Sequence, residues 1–544
     1  MNYQKKTTKY SLISIFIILM LNVSFVNAQF DSYGDKLLKM NQFKTAKSYF
    51  LHKINEKPND VSILYYLGET YYNLGKTDSA EYYFNKGISL VPNDIYLNIG
   101  VGKILLDKSN ISEAKKLFER ANSLAKYKDV TVLSTIADAL ISTKNKQFDL
   151  ANEYLLKAKE INKTKSIIHI VSGDLNSIQL NLGEAANDYE RAFYFDPQCT
   201  EAYYKLGRIY NIARNYKESI KAFESALKID SAYIPVWRDL AEMYYAYGHY
   251  QEASDAFAKY IQLTEPDLND NIRYATILYF NKEYTKSLTE TNNALLKDPK
   301  NFVMKRLNTY NLYETNDFTK SLSAINEFFK ITPESKIIAQ DYEYYGKILS
   351  KNNMDSLAII AFEKTIAMDS SKKMFYENIG KSYDKLKKYE KAVIAYEKLI
   401  SSEKNPLSTE YFQLGKSAYY SGAPLINAED TLRKMIYLQK ADTSFSKVIE
   451  LSPNSHLGYL WKARINALID SKTTVGLAKP WYEKVIAILE LTPGKGTKDL
   501  IEAYGYLGVY YIKNDDNKTS KIYWNKILEL DPANVDALKY KDFK

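Results

Sequence analysis

The chain has 544 residues, of which 46% are hydrophobic and 26% charged, with only 13 prolines. That excludes both a disordered polymer and one ordinary hydrophobic core, and predicts several domains or an extended, helix-rich repeat array. The formal charge of +9 does not make a nucleic-acid binder. Three of those charges (Lys5, Lys6 and Lys9) sit at the N-terminal end, and the remaining lysines alternate with acids, as in KSYDKLKKYEKAV at 381–393.

Residues 1–28 read as a signal peptide. MNYQKKTTK is a positive n-region, YSLISIFIILMLNVSFV an apolar h-region, and Val26 and Ala28 stand at −3 and −1 before Gln29. Ser11, Ser14, Asn22 and Ser24 interrupt the apolar run, which favours a cleaved signal over a retained N-terminal anchor. The expectation is export to a bacterial periplasm, envelope-associated or extracellular, with no integral membrane span after cleavage. No cysteine follows the cleavage point, so lipid attachment is not indicated. Cys199 is the only cysteine and closes no intramolecular disulfide, so packing alone must hold the fold.

A phased pattern then begins. From Leu64, the residues Leu67, Gly68 and Tyr71 lie on one helical face, LGKTDS interrupts it, and Ala80, Phe84 and Gly87 form one face of a second helix before Pro92. Small residues at 68 and 80 are read as points where two helix backbones approach closely. The spacing recurs as Gly34, Ala46, Phe50, Pro58; as Gly102, Ala114, Phe118, Ala121; as Gly173, Ala185, Tyr189, Ala192, Pro197; and as Gly207, Phe223, Ala226. It returns as Trp237, Leu240, Ala241, Tyr244, Ala253, Phe257; as Gly346, Ala358, Phe362; as Gly380, Tyr383, Ala392, Tyr396; as Gly415, Ala441, Phe445, Pro453; and as Tyr504, Leu507, Gly508, Tyr511, Trp524, Pro532.

This pattern resembles the tetratricopeptide repeat, a unit of 34 residues with a W-L-G-Y-A-F-A-P signature. The resemblance covers nearly the whole chain after residue 28, as about fourteen units over 29–532. It implies an all-α fold, a right-handed α–α superhelix in which each unit is a helix-turn-helix. Units at 268–335 are degenerate: they lack the contact glycine and carry Thr291 and Ile325 where an aromatic is expected. They read either as a softer joint or as drift. An insertion, about 421–440, is too long for an inter-helix turn and is expected to extend the helices there. The stretch 458–485 carries a longer turn, and 533–544 reads as a solvating C-terminal cap helix.

The tyrosine pairs of YYLGETYYNLGKTDSAEYYF at 65–84 then acquire two readings. Neighbours on a helix point about 100° apart, so Tyr71 packs inward and Tyr72 faces elsewhere. The resemblance implies that the fifth, ninth and twelfth positions of each first helix line a concave groove. Those positions give Tyr65, Glu69 and Tyr72; Tyr204, Arg208 and Asn211; and Arg238, Glu242 and Tyr245. Further on they give Glu343 and Lys347, Glu377 and Lys381, then Phe412, Lys416 and Tyr419. An aromatic groove of mixed charge suits a protein or peptide partner. The other reading is compositional: 49 tyrosines are also what AT-rich coding would give. A carboxylate clamp of Lys then Asn, another groove chemistry the resemblance implies, is not carried by three consecutive units.

Nothing points to catalysis or a cofactor. His52, His169, His249 and His456 stand in different repeats, the phosphate-cradling glycine spacing is absent from TPGKGTKD at 492–499, and GVG at 100–102 lies within a helix. The chain therefore reads as a non-enzymatic interaction scaffold or adaptor with an envelope-associated protein or peptide partner, and with no metal, cofactor or nucleic acid. The alternatives are a chaperone-like binder of extended polypeptides and a binder of carbohydrate or peptidoglycan.

Overall fold

A computed structural model describes residues 31–425, 427, 430–492 and 494–540. The signal-peptide reading and the last four residues of the cap fall outside that range. The described residues form fourteen successive helix pairs and one short final helix, without a strand. The chain divides into two compact units at Glu283/Tyr284, inside the degenerate stretch.

Local chemistry fixes the pairs. Asp60, Asp94 and Asp129 cap first helices through side-chain oxygens that accept backbone N–H groups, Asp60 those of Ser62 and Ile63. The turn inside most pairs places a residue in the left-handed region. Gly75 (φ 71°) and Gly248 (φ 76°) do so without strain, while Ser109, Leu180 and Arg214 do it at a cost on the order of 1 kcal/mol each. Such a turn is closed by two hydrogen bonds, Ser109 N–H to Leu106 C=O and Asn110 N–H to Leu105 C=O at 2.9 and 2.8 Å.

The packing corrects the reason given for the small residues. A Cβ on Gly68 would stand 2.3 Å from Cε1 of Phe84, the aromatic of the second helix. The glycine is needed because a ring, and not a bare backbone, lies on it. In the first unit the same relation joins Gly34 to Phe50, Gly102 to Phe118, Gly173 to Tyr189 and Gly207 to Phe223; in the second it joins Gly346 to Phe362, Gly380 to Tyr396 and Gly508 to Trp524. Gly415 meets Phe445 in the same way across the insertion, part of which lengthens the second helix to Thr431–Leu451, 21 residues. Residues 426, 428 and 429 of the insertion are outside the described range. The degenerate units are well packed: Thr291 and Ile325 are fully buried, and Asn311 Nδ2 donates to Ser287 Oγ at 2.7 Å.

The longer turn after His456–Ile469 winds about one carboxylate, Asp470, which accepts N–H bonds from Thr474, Val475, Gly476 and Leu477. The cap is the helix Val535–Tyr540, whose Tyr540 ring stacks on Trp524 at 5.1 Å. No helix of the described residues is long and apolar enough to cross a membrane.

Candidate functional site

Where the contact residue of a first helix faces the ring of the second, the next residue along is turned about 100° from that contact. In the second to seventh repeats these positions hold Glu69, Lys103, Asp138, Asp174, Arg208 and Glu242, following Gly68, Gly102, Ala137, Gly173, Gly207 and Ala241. They form a row that crosses the array from one repeat to the next. Sequence reading found Glu69, Arg208 and Glu242 but missed Lys103, Asp138 and Asp174.

At one end of the row, Lys103 Nζ donates to Glu69 Oε2 at 2.8 Å and lies 4.3 Å from the centre of the Tyr72 ring. Both partners are nearly enclosed, with 8% and 14% of their side chains exposed. Tyr65 packs against Tyr66, Phe84 and Tyr96, so it serves as wall more than as free surface. Tyr71 stacks on Tyr83 and packs against the core, as its helical position predicts.

The middle of the row is acidic and partly buried. Burial pushes the Asp138 carboxyl up to about 6, Lys103 and Lys205 pull it down, and Asp174 and Glu69 push it up again. Asp174 accepts from Lys205 Nζ at 2.5 Å and from Tyr189 Oη at 2.7 Å. Burial works against the Lys205 charge, but Glu201 and Asp174 outweigh it and hold the ammonium well above its usual range.

The remaining predicted residues meet in a second cluster. Tyr204 Oη donates to Asp239 at 3.1 Å, and Arg208 Nε stands 3.6 Å from the same carboxylate. Burial raises the Asp239 carboxyl, opposed by Arg208. Arg273 binds Glu242 through two nitrogens, with Nε at 2.8 Å, and covers the Tyr245 ring at 3.9 Å. Arg238 lies 5.7 Å from the Tyr260 ring centre. The structure thus brings Tyr65, Glu69 and Tyr72 together at one place, and Tyr204, Arg208, Arg238, Glu242 and Tyr245 at another. Tyr204, Arg208, Arg238, Asp239 and Tyr260 line a cavity of about 210 Å³ together with Met40 and Gln42 of the first pair.

In the second unit the corresponding positions pair mostly along their own helix. Lys347 bonds Glu343 at 2.6 Å and Lys381 bonds Glu377 at 2.6 Å, while Lys416 lies over Phe412 and Tyr419 packs edge-on to Trp461. The histidines serve locally: His169 bonds the Lys163 carbonyl, and His456 bonds Asp499 at 2.9 Å. Among the described residues, no three His, Cys, Asp or Glu side chains are placed to hold a metal.

Family models of the tetratricopeptide repeat match residues 61–94, 200–233 and 375–406. A curated relative, the DnaJ homolog subfamily C member 3 homolog of Dictyostelium discoideum, is 27% identical over 167 residues, which are 30% of this chain and 31% of that relative. The matched stretch thus spans about a third of that protein. Among solved structures, the C-terminal part of a TPR repeat-containing protein from Cytophaga hutchinsonii is 32% identical, covering 49% of this chain and 98% of its own, with a TM-score of 0.43. YrrB, described as a TPR protein with an unusual peptide-binding site, is 20% identical over 34% of this chain and 92% of its own, with a TM-score of 0.21. With three matched stretches lying in phase with helix pairs of one repeated geometry, the chain is a tetratricopeptide repeat protein.

Proposed function

We propose that the chain is a non-enzymatic interaction scaffold of the bacterial periplasm or envelope, which takes a protein or peptide partner along the row of first helices. The observation that carries this reading is the row itself. Six consecutive repeats carry Glu69, Lys103, Asp138, Asp174, Arg208 and Glu242 in register, beside tyrosines such as Tyr204, whose polar end is hydrogen-bonded. Alternating blocks of charge beside aromatic walls give a peptide both orientation and apolar contact. Proteins of this repeat family generally mediate protein–protein interaction, and a fold of stacked helix pairs offers an extended surface for it. The adaptor role is favoured over the chaperone role because the row's charges are fixed by cross-repeat pairs, which select a partner more than they tolerate many.

The test is recovery of the crosslinked full-length chain from an envelope preparation, with the co-purifying proteins identified by mass spectrometry. One stoichiometric partner is expected. A broad spread of unrelated chains would replace the adaptor by the chaperone reading, and glycan recovery would replace both.

A further inference from the structure

In a stacked array each repeat needs only its neighbours. The first pair, Ser32–Lys39 and Phe43–Glu56, does more. Its tip reaches the sixth, seventh and eighth repeats, across a sequence separation of 223 residues. Lys44 Nζ donates to Asp267 Oδ2 at 2.9 Å, and Lys36 Nζ stands 3.5 Å from Asp230 Oδ2. Between these ion pairs Met40 is buried, 6% exposed, among Tyr204, Tyr233, Ile234 and Tyr260.

The tip has the closed turn that recurs in other helix pairs. Asn41 takes the left-handed conformation (φ 56°), and the N–H groups of Met40, Asn41 and Gln42 bond back to Lys36, Leu38 and Leu37 of their own helix. Lys36, Lys39 and Lys44 of the tip meet Asp230, Glu201 and Asp267 around the buried Met40, while Asp35 stands on the tip's side and Arg208 and Arg238 line the receiving face on the far side of Met40. The face it covers holds three predicted partner-binding residues, Tyr204, Arg208 and Arg238. The attachment is also slight. One buried methionine anchors it, and the Lys44–Asp267 pair is open to solvent, with 68% and 37% of the side chains exposed.

We propose that the first repeat is a clasp that occupies this part of the groove in place of a partner. A partner segment of the same chemistry, a helix end bearing one long apolar side chain between two basic ones, enters by displacing it. This inference rests on the groove reading above and adds its regulation and the character of its ligand.

Cys199 reports the state of the clasp, because it lines the cavity of about 340 Å³ under the tip, with Lys36, Lys39 and Met40. The test uses the full-length chain, maleimide alkylation of Cys199, and a labelled peptide of residues 31–57 as competitor. Met40→Asp places a charge in the apolar seat and should speed alkylation at least fivefold. Lys44→Glu, an exposed change that spares the packing of the first repeat, should speed it about twofold through repulsion from Asp267. Peptide 31–57 should bind the Met40→Asp chain at least tenfold more tightly than the unaltered chain. Alkylation unchanged in both variants overturns the clasp, and equal peptide binding to both chains overturns displacement. Neither readout involves the envelope partner, so failure here is distinct from failure to recover one.

Discussion

Gly68 and Phe84 are sixteen residues apart and in direct contact: the ring lies where a side chain at 68 would be, its Cε1 2.3 Å from the place a Cβ would take. Phe84 is fully buried, and Ala80, one turn earlier, is buried beside it. Gly68→Leu and Ala80→Arg should therefore each open this pair. Overpacking costs about 1–3 kcal/mol, and an unpaired buried charge costs more. Because each repeat leans on its neighbours, limited proteolysis should cut first between residues 60 and 100. Resistance equal to the unaltered chain in both variants would mean that the ring is not seated on the glycine.

That contact was legible in the sequence because it repeats. Gly34 with Phe50 and Gly102 with Phe118 keep the same sixteen-residue spacing, so helix pairs, turns and inward faces follow from spacing alone. Lys103, Asp138 and Asp174 carry neither the tyrosine nor the arginine that marks an interface by residue type; their signal is the position itself, one residue after each small contact residue. The clasp had no such signal. Periodicity carries information about neighbouring repeats, and whether Met40 meets Tyr233 depends on small rotations accumulated over several units. The export reading rests on residues 1–28 alone, outside the described range.

The Lys103–Glu69 pair makes a second prediction. With both side chains nearly enclosed, Lys103→Met should leave Glu69 as an uncompensated charge and destabilise the array by about 3 kcal/mol. Adding Glu69→Leu should recover most of that loss, since an apolar pair replaces an ionic one. Hydrogen exchange of the helices 61–73 and 95–107 reads the local effect. A double variant as unstable as the single one would show that the pair's value is not in its charges.

The groove itself is tested by Tyr72→Ala combined with Tyr245→Ala. Each ring carries a cation, Lys103 at 4.3 Å and Arg273 at 3.9 Å, and tyrosine–arginine surfaces dominate interface energies. Recovery of the crosslinked partner should fall about tenfold or more, with helical content retained. Tyr71→Ala is the control, because its ring stacks on Tyr83 against the core and its loss should lower the melting temperature instead. Full partner recovery by the double variant would move the interface off this face, and the extended helix at 431–451, with Leu432, Met435 and Ile436 exposed, would be the next surface to alter.

The last prediction concerns pH and follows from Asp138. Burial raises its carboxyl from 3.8 to about 6, beyond what Lys103 and Lys205 offset, so the folded chain keeps a proton that the unfolded chain releases. The sign follows from linkage: wherever the native state binds more protons, stability falls as pH rises. The contribution is present below about pH 4 and is lost progressively up to about pH 6. The shift corresponds to a penalty on the order of 1–3 kcal/mol at pH 7, the lower part of that range allowing for solvent reaching the carboxylate. Asp138→Asn removes the ionisation while keeping the shape. It should match the unaltered chain near pH 4 and exceed its stability at pH 7, with the two curves separating between those values. Denaturant unfolding of both chains at half-unit steps from pH 4 to 8 measures the separation. Curves that stay parallel throughout would place Asp138 in contact with water or with a cation, and the middle of the row would then be an open acidic surface instead of a partly buried one.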